Sequence, residues 1–237
     1  GIVVRLPQSF YATMKKIGDT GEPIVGIILL GLFLLVVAAC ILLTLGTRRI
    51  PVQYGKRMVG GAAMQRTAQY IPLRVNAAGV IPIIFASAII VFPSQMVRMV
   101  GFSSNVYLNK LQYWLTPGQI PYIVLYSALV IFFCFFYTQL RFNPVEIADN
   151  LKKYGGFIPG IRPGQNTSDY LMGVLNRITL SGSIFLALIS IVPDFIIRIW
   201  PEQVPMDMAY LFGGTSLLII VGVALDTLKQ IESQLLM

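Results

Sequence analysis

The 237-residue sequence contains no histidine. That removes the commonest general base and metal ligand, and it leaves any serine or cysteine without its usual activator. Intramembrane serine proteolysis is therefore disfavoured. Asp194 and Asp226 stand in apolar surroundings, as an intramembrane aspartyl protease would require. The topology derived below sends them towards opposite faces of a membrane, whereas paired acid catalysis needs the carboxylates side by side. Cys40 and Cys134 fall singly within different apolar runs, where cysteine ordinarily packs as a small hydrophobe. No catalytic residue, metal or cofactor is expected. The chemistry in supply is cationic, with 18 Lys and Arg against 10 acids and a net charge of +8. Arg48, Arg49, Lys56, Arg57, Arg66 and Arg74 crowd residues 47–74 with no acid among them, and Arg141, Lys152, Lys153, Arg162 and Arg177 fall in 141–177. Taken singly, each of these charges can serve topology and anionic lipid alone.

The elements that carry these loops are apolar. A transmembrane helix needs roughly 20 mostly apolar residues, and five runs qualify: Pro23–Leu45, Val75–Met96, Ile120–Leu140, Ile178–Ile199 and Met206–Leu228. A composition of 56% hydrophobic and 12% charged residues agrees with an all-α integral membrane protein and not with a soluble enzyme. With Lys229, the two basic loops hold twelve of the 18 Lys and Arg, and the opposite side holds Arg5, Lys15, Lys16, Arg98, Lys110 and Arg198. The positive-inside rule then puts both loops and the C-terminus in the cytosol. The opening Gly1-Ile2-Val3-Val4 has neither Met nor a signal-peptide n-region, and it reads as the tail of an earlier span with a preceding half to be expected.

Local patterns give the loops shape. Residues 48–57, RRIPVQYGKR, alternate Ile50, Val52 and Tyr54 with polar or small neighbours. The stretch Arg66–Arg74 supplies a return strand across Gly60-Gly61, so a basic β-hairpin standing off the membrane is expected. Asn143 followed by Pro144 predicts a short helix over about 144–154, with Glu146 at its start and Lys152 and Lys153 at its negative end. In FIPGIRPG, two Pro-Gly pairs bracket Arg162 and present it on a stiffened turn. Thr167 or Ser168 is the expected cap of a fourth helix that starts near Asp169 and projects into the cytosol before entering lipid.

Within the spans the polar residues are Asn76, Ser87, Ser127, Thr138, Ser181, Ser183, Thr215 and Ser216. Such residues usually bond to a neighbouring helix or to their own backbone. The second span is irregular, with Gly79 and Pro82 in its first two turns and Pro93 near its end, so kinking or unwinding is expected. The patch Phe212-Gly213-Gly214-Thr215-Ser216 permits close approach of another helix. Gapped helices are also a mark of secondary transporters, the rival reading. A coupled transporter should carry ionisable residues at the membrane midplane, and the runs show none there.

The segments RRIPVQYGKR, YIPLRVNAAGVIPIIFAS, FNPVEIADNLKKYGGFIPGIRPG and FGGTSLLI, in this order, closely resemble the SecY family, channel subunits of the bacterial Sec protein translocase. The resemblance implies the C-terminal half of a ten-helix channel, spans six to ten, in the bacterial plasma membrane. It further implies an hourglass pore narrowed by a ring of apolar side chains, to which Ile84 and Ile219 would belong. It implies a lateral gate with Asn76, Ser87 and Phe92 on one wall. For Arg48, Arg49, Lys56, Arg57, Lys152, Lys153 and Arg162 it implies docking of the SecA ATPase or of the ribosome and its RNA. The partners implied are SecE, SecG, the N-terminal half, signal sequences, translocating polypeptides and membrane lipid.

Overall fold

The computed structural model describes Tyr11, Lys15, Lys110 and residues 23–54, 69–100, 113–200 and 215–235. Helix α1, Pro23–Leu45, has 23 residues and spans about 35 Å at 1.5 Å per residue, slightly more than the hydrocarbon core of a bilayer. It leads through Gly46 into strand β1, Thr47–Tyr54, which pairs antiparallel with β2, Gln69–Arg74. Helix α2 is Ile81–Val100, α3 is Ile120–Arg141 and α4 is Pro144–Lys153. The two-residue strand β3, Gly156–Phe157, precedes α5, Gln165–Ile199, and α6 is Thr215–Leu235. Three segments within these helices are long and apolar enough to cross a membrane, in Gly26–Leu45, Ile120–Lys153 and Gln165–Ile199, and Ile81–Met96 is a shorter apolar helix. The second of the three is interrupted at Phe142 and Asn143, so its apolar part is α3.

Among the described residues, two of the three apolar clusters position the site. In the first, Val36 and Cys40 of α1, Ile83 and Ile90 of α2, Val130 and Cys134 of α3, Leu186 of α5, and Leu218 and Val221 of α6 are buried together. Both cysteines are buried and free. In the second, Ile50 of β1, Leu73 of β2 and Ile158 pack on Leu171, Val174 and Ile178 of α5. At 35 residues, α5 is about 52 Å long, well beyond the roughly 30 Å of a hydrocarbon core. Its second half joins the membrane cluster while its first half carries the sheet.

The sequence expectations fare differently from element to element. The hairpin forms with Ile50 opposite Ile71 and Thr47 opposite Arg74, while its Gly60-Gly61 turn lies outside the described residues. It does not stand free: its apolar face is buried on α5, and β1 also pairs with β3 through Gln53 and Tyr54, giving the order β2-β1-β3. Helix α4 forms as expected, with the Val145 N–H donating to Asn143 Oδ1 at 3.2 Å. Helix α5 begins at Gln165, four residues before Asp169, and its cap is Gly164, not Thr167 or Ser168. The reason is that the Thr167 hydroxyl donates back to the Arg162 carbonyl at 2.9 Å, while the Thr167 N–H bonds the Gly164 carbonyl at 3.0 Å. Helix α6 runs on past Leu228 to Leu235. The start of the fifth apolar run, including Phe212-Gly213-Gly214, lies outside the described residues.

Candidate functional site

Residues 75–80 are not helical, and α2 begins at Ile81. Pro82 therefore stands in the first turn, where a missing N–H costs nothing, instead of kinking a span interior. Gly79 takes φ +68°, a left-handed conformation that favours glycine. The unwound segment is held at its root. The Val75 N–H bonds the Gly46 carbonyl at 2.9 Å, and Gly182 of α5 lies so close that a Cβ there would meet the Val75 carbonyl oxygen at 2.6 Å. Asn76, half-buried, belongs to this turn and not to a helix face.

Helix α2 then divides its residues sharply. Ile83 is 0% exposed and its neighbour Ile84 is 47% exposed. Ala86 and Ile90 follow Ile83 into the membrane cluster, while Phe85, Ile89 and Phe92 remain uncovered with Ile84. Ser87 donates its hydroxyl to the Ile84 carbonyl at 2.8 Å, so its polarity is spent on its own helix. The same back-bonding takes up Ser127, Ser181 and Ser183, which donate to Ile123, Ile178 and Leu180. Phe85 also anchors α2 to α3, its ring centroid 5.9 Å from that of Phe133 and 5.6 Å from that of Tyr137. On α6, Leu217, Leu218 and Val221 are buried in the cluster, and Ile219 is only partly covered. Both expected ring residues thus lie beside core positions without being core themselves.

The docking candidates gather on the sheet-bearing body. Arg48, Arg49, Lys152, Lys153 and Arg162 are all exposed, and the side chains of Lys56 and Arg57 lie outside the described residues. The Arg162 turn has the shape its sequence demands. The Ile161 N–H bonds the Ile158 carbonyl at 3.1 Å across Pro159 and Gly160, and Gly160 and Gly164 take φ +84° and +115°. Pro at the second position and a left-handed Gly at the third are the requirements of a type II turn. Arg162 is fixed in place by its backbone and free at its side chain.

Sequence reasoning did not give Asp194 a role. It is 2% exposed on α5, and it accepts the Gly118 N–H from the loop ahead of α3 while its Oδ1 has no hydrogen-bond partner. Gln119, the N-cap of α3, makes no side-chain cap. A carboxylate from α5 thus ties down the chain entering α3, close to the positive end of that helix. Asp226 is exposed on α6, whereas Asp194 is buried on α5.

Comparison with known proteins agrees with this architecture. A family model described as SecY matches residues 1–228. Relatives named protein translocase subunit SecY include one from Mycobacterium tuberculosis, 43% identical over 242 residues, covering 100% of this chain and 54% of the relative. Another, from Streptomyces galbus, is 46% identical over 235 residues, covering 99% of this chain and 53% of the relative. The chain spans about half the length of the curated relatives it matches. Among solved structures, one described as that of a protein conducting channel superposes with a TM-score of 0.60 at 18% identity, covering 96% of this chain and 54% of the other. A second, concerned with the plug domain of the SecY protein, gives 0.56 at 18% identity over 94% of this chain and 54% of the other. With its helices around one apolar cluster, its strand hairpin seated on a long helix, and a family match across nearly its whole length, the chain belongs to the SecY family.

Proposed function

We propose that this chain forms the C-terminal, five-helix half of a passive protein-conducting channel in the bacterial plasma membrane. It passes unfolded secretory polypeptides across the bilayer and releases membrane segments sideways into it. Ile84 and Ile219 contribute to the apolar ring, and Asn76, Ser87 and Phe92 to one wall of the lateral gate. The chain has no catalytic residue of its own. SecA or the translating ribosome supplies the energy, docking on Arg48, Arg49, Lys56, Arg57, Lys152, Lys153 and Arg162 on the cytosolic side, and SecE, SecG and the N-terminal half complete the assembly. The observation that carries this reading is the uncovered face of α2, where Ile84 and its neighbours are apolar and the Ser87 hydroxyl is already bonded. Such a surface dewets a constriction when closed and gives a passing chain no polar group to hold.

The test is crosslinking of an arrested translocating polypeptide to probes placed singly at Ile83 and Ile84 in the full-length protein. Ile84 should crosslink and the buried Ile83 should not. Equal yields at the two sites, or none at Ile84 and Ile219 alike, would return the transporter reading to favour. A second expectation concerns the turn. Arg162→Glu should change stability by no more than about 0.5 kcal/mol, as an exposed substitution does, while lowering SecA-driven export severalfold. Parallel loss of protein abundance and export would make Arg162 structural instead.

A further inference from the structure

Neither the pore ring nor the gate wall uses Asp194, whose surroundings are unusual for a carboxyl group. It is 2% exposed on α5, and its Oδ1 is the buried side-chain oxygen that lacks a hydrogen-bond partner among the described residues. Burying such a group half-satisfied opposes folding, so stability does not account for it. What it supplies is direction, because a hydrogen bond fixes register where apolar contact does not.

A tight turn builds the donor. In Thr116-Pro117-Gly118-Gln119 the Gln119 N–H bonds the Thr116 carbonyl at 3.4 Å, and Gly118 takes φ +86°. Pro at the second position and a left-handed Gly at the third meet the requirements of a type II turn. The closing bond of such a turn joins its first and fourth residues, which leaves the N–H of the third without a partner inside the turn. Asp194 accepts that N–H. Three residues further along α5, and so on the same face, Ile197 Cγ2 stands 3.8 Å from where a Cβ on Gly118 would lie. Leu115, buried in the membrane cluster, draws the loop inward, and Asp194 fixes where it lands. Helix α3 starts at Ile120, two residues after Gly118, so the turn sets where that helix begins.

The two helices at the proposed gate are held differently. At its hairpin end α3 runs into Phe142 and Ile147, which pack against the cluster that holds Leu171 and Val174 of α5. With the Gly118 turn at its far end, α3 is joined to α5 at both ends. Helix α2 is not. Val75 at its root lies against Gly182, and Ile83, Ala86 and Ile90 join the membrane cluster. From Val91 to Met96, and at Met99, no residue is buried, and Pro93 withdraws the N–H that would bond the Ile89 carbonyl. We propose that Asp194 is a positioning residue for the lateral gate: by holding the Gly118 turn on α5 it keeps the far end of α3 fixed, so that the part of α2 beyond Ile90 moves alone when the gate opens. The inference rests on the gate reading given under Proposed function. Phe85 links α2 to α3 through Phe133 and Tyr137, so an α3 released from α5 would carry the gate wall with it and weaken the closed seam.

The experiment uses the full-length channel in lipid nanodiscs, with spin labels on cysteines introduced at exposed positions, since Cys40 and Cys134 are buried. The pair Val124→Cys and Leu188→Cys reports α3 against α5, and Met96→Cys with Leu188→Cys reports α2 against α5. With Asp194 in place, arresting a translocating polypeptide in the channel should shift the α2–α5 distance by several ångströms and leave the α3–α5 distance unchanged. Asp194→Ala should broaden the α3–α5 distribution about twofold, as the turn samples positions off α5. It should also raise export of proteins with defective signal sequences, per channel, about tenfold, the population shift that loss of one hydrogen bond to a carboxyl group permits. Asp194→Asn keeps an oxygen for the Gly118 N–H and should match the wild type in both. An α3–α5 distance that moves with α2 overturns the proposal even where Asp194→Ala fails to accumulate. So does an Asp194→Ala distribution as narrow as the wild type's, or an Asp194→Asn distribution as broad as that of Asp194→Ala. An α2–α5 distance that stays put overturns the gate reading and this proposal with it, whereas failure of the tie alone shows in α3.

Discussion

Gly182→Leu is expected to prevent accumulation of folded protein, and Gly182→Ala to cost about 1–2 kcal/mol. Even one added carbon would sit 2.6 Å from the Val75 carbonyl oxygen and 3.2 Å from Val75 Cγ1. The obstacle is backbone, which cannot swing aside as a side-chain tip can. Overpacking of this kind costs about 1–3 kcal/mol, against which alanine recovers at most about 1 kcal/mol of helix preference. The clash therefore wins. Gly173 on the same helix has nothing within 4 Å of its would-be Cβ, so Gly173→Ala should stabilise by about 0.5–1 kcal/mol from propensity alone. Thermal denaturation of the two alanine variants in detergent checks the contrast, and equal midpoints would mean that α5 does not touch Val75 so closely. Because Val75 roots the segment carrying Asn76, the Gly182→Ala protein that does fold should also show altered crosslinking of signal sequences at the lateral gate.

Ile219→Asn is expected to leave the fold standing and loosen the seal, whereas Leu218→Asn one residue earlier should unfold the protein. Leu218 is 3% exposed within the membrane cluster, and Ile219 is only partly covered. An amide forced into the Leu218 site loses the leucine's burial and adds an unpaired polar group, several kcal/mol together. At Ile219, on the proposed ring, the amide instead finds water and holds it in a constriction that otherwise dewets. Ion conductance across reconstituted membranes should rise by an order of magnitude, and export of proteins with defective signal sequences should increase. If Ile219→Asn and Leu218→Asn lower abundance alike and neither leaks, Ile219 packs inside the half and lines no pore.

Local rules settled whatever depends on a few neighbouring residues. The apolar runs announced the three helices long and apolar enough to cross a membrane, because a bilayer demands about 20 apolar residues whatever surrounds them. Asn143-Pro144 announced α4, and Pro159-Gly160 the turn under Arg162, because caps and turns are satisfied within four or five residues. The strands were legible from the alternation of Ile50 and Val52. Where local rules competed, the sequence was ambiguous. Thr167 is a good cap by type, yet its hydroxyl is taken by the Arg162 carbonyl and the helix begins at Gln165. Val75–Val80 reads as apolar enough for helix, yet is unwound.

Contacts between residues distant in the chain were decided by the tertiary structure alone. Nothing in the spacing of Gly182 says that Val75 will lie against it, and nothing around Asp194 names Gly118 as its donor. Nor does the hairpin sequence say that its apolar face is buried on α5. The split between Ile83 and Ile84 has the same origin: both are isoleucine at the start of one helix, and only the neighbours that cover one and miss the other tell them apart. Sequence determined which segments are apolar enough for a bilayer and where the charge lies, since transfer from water is a property of each segment. Which side chains pack and which stay uncovered depends on what stands within a few ångströms, and that is fixed only when the helices meet.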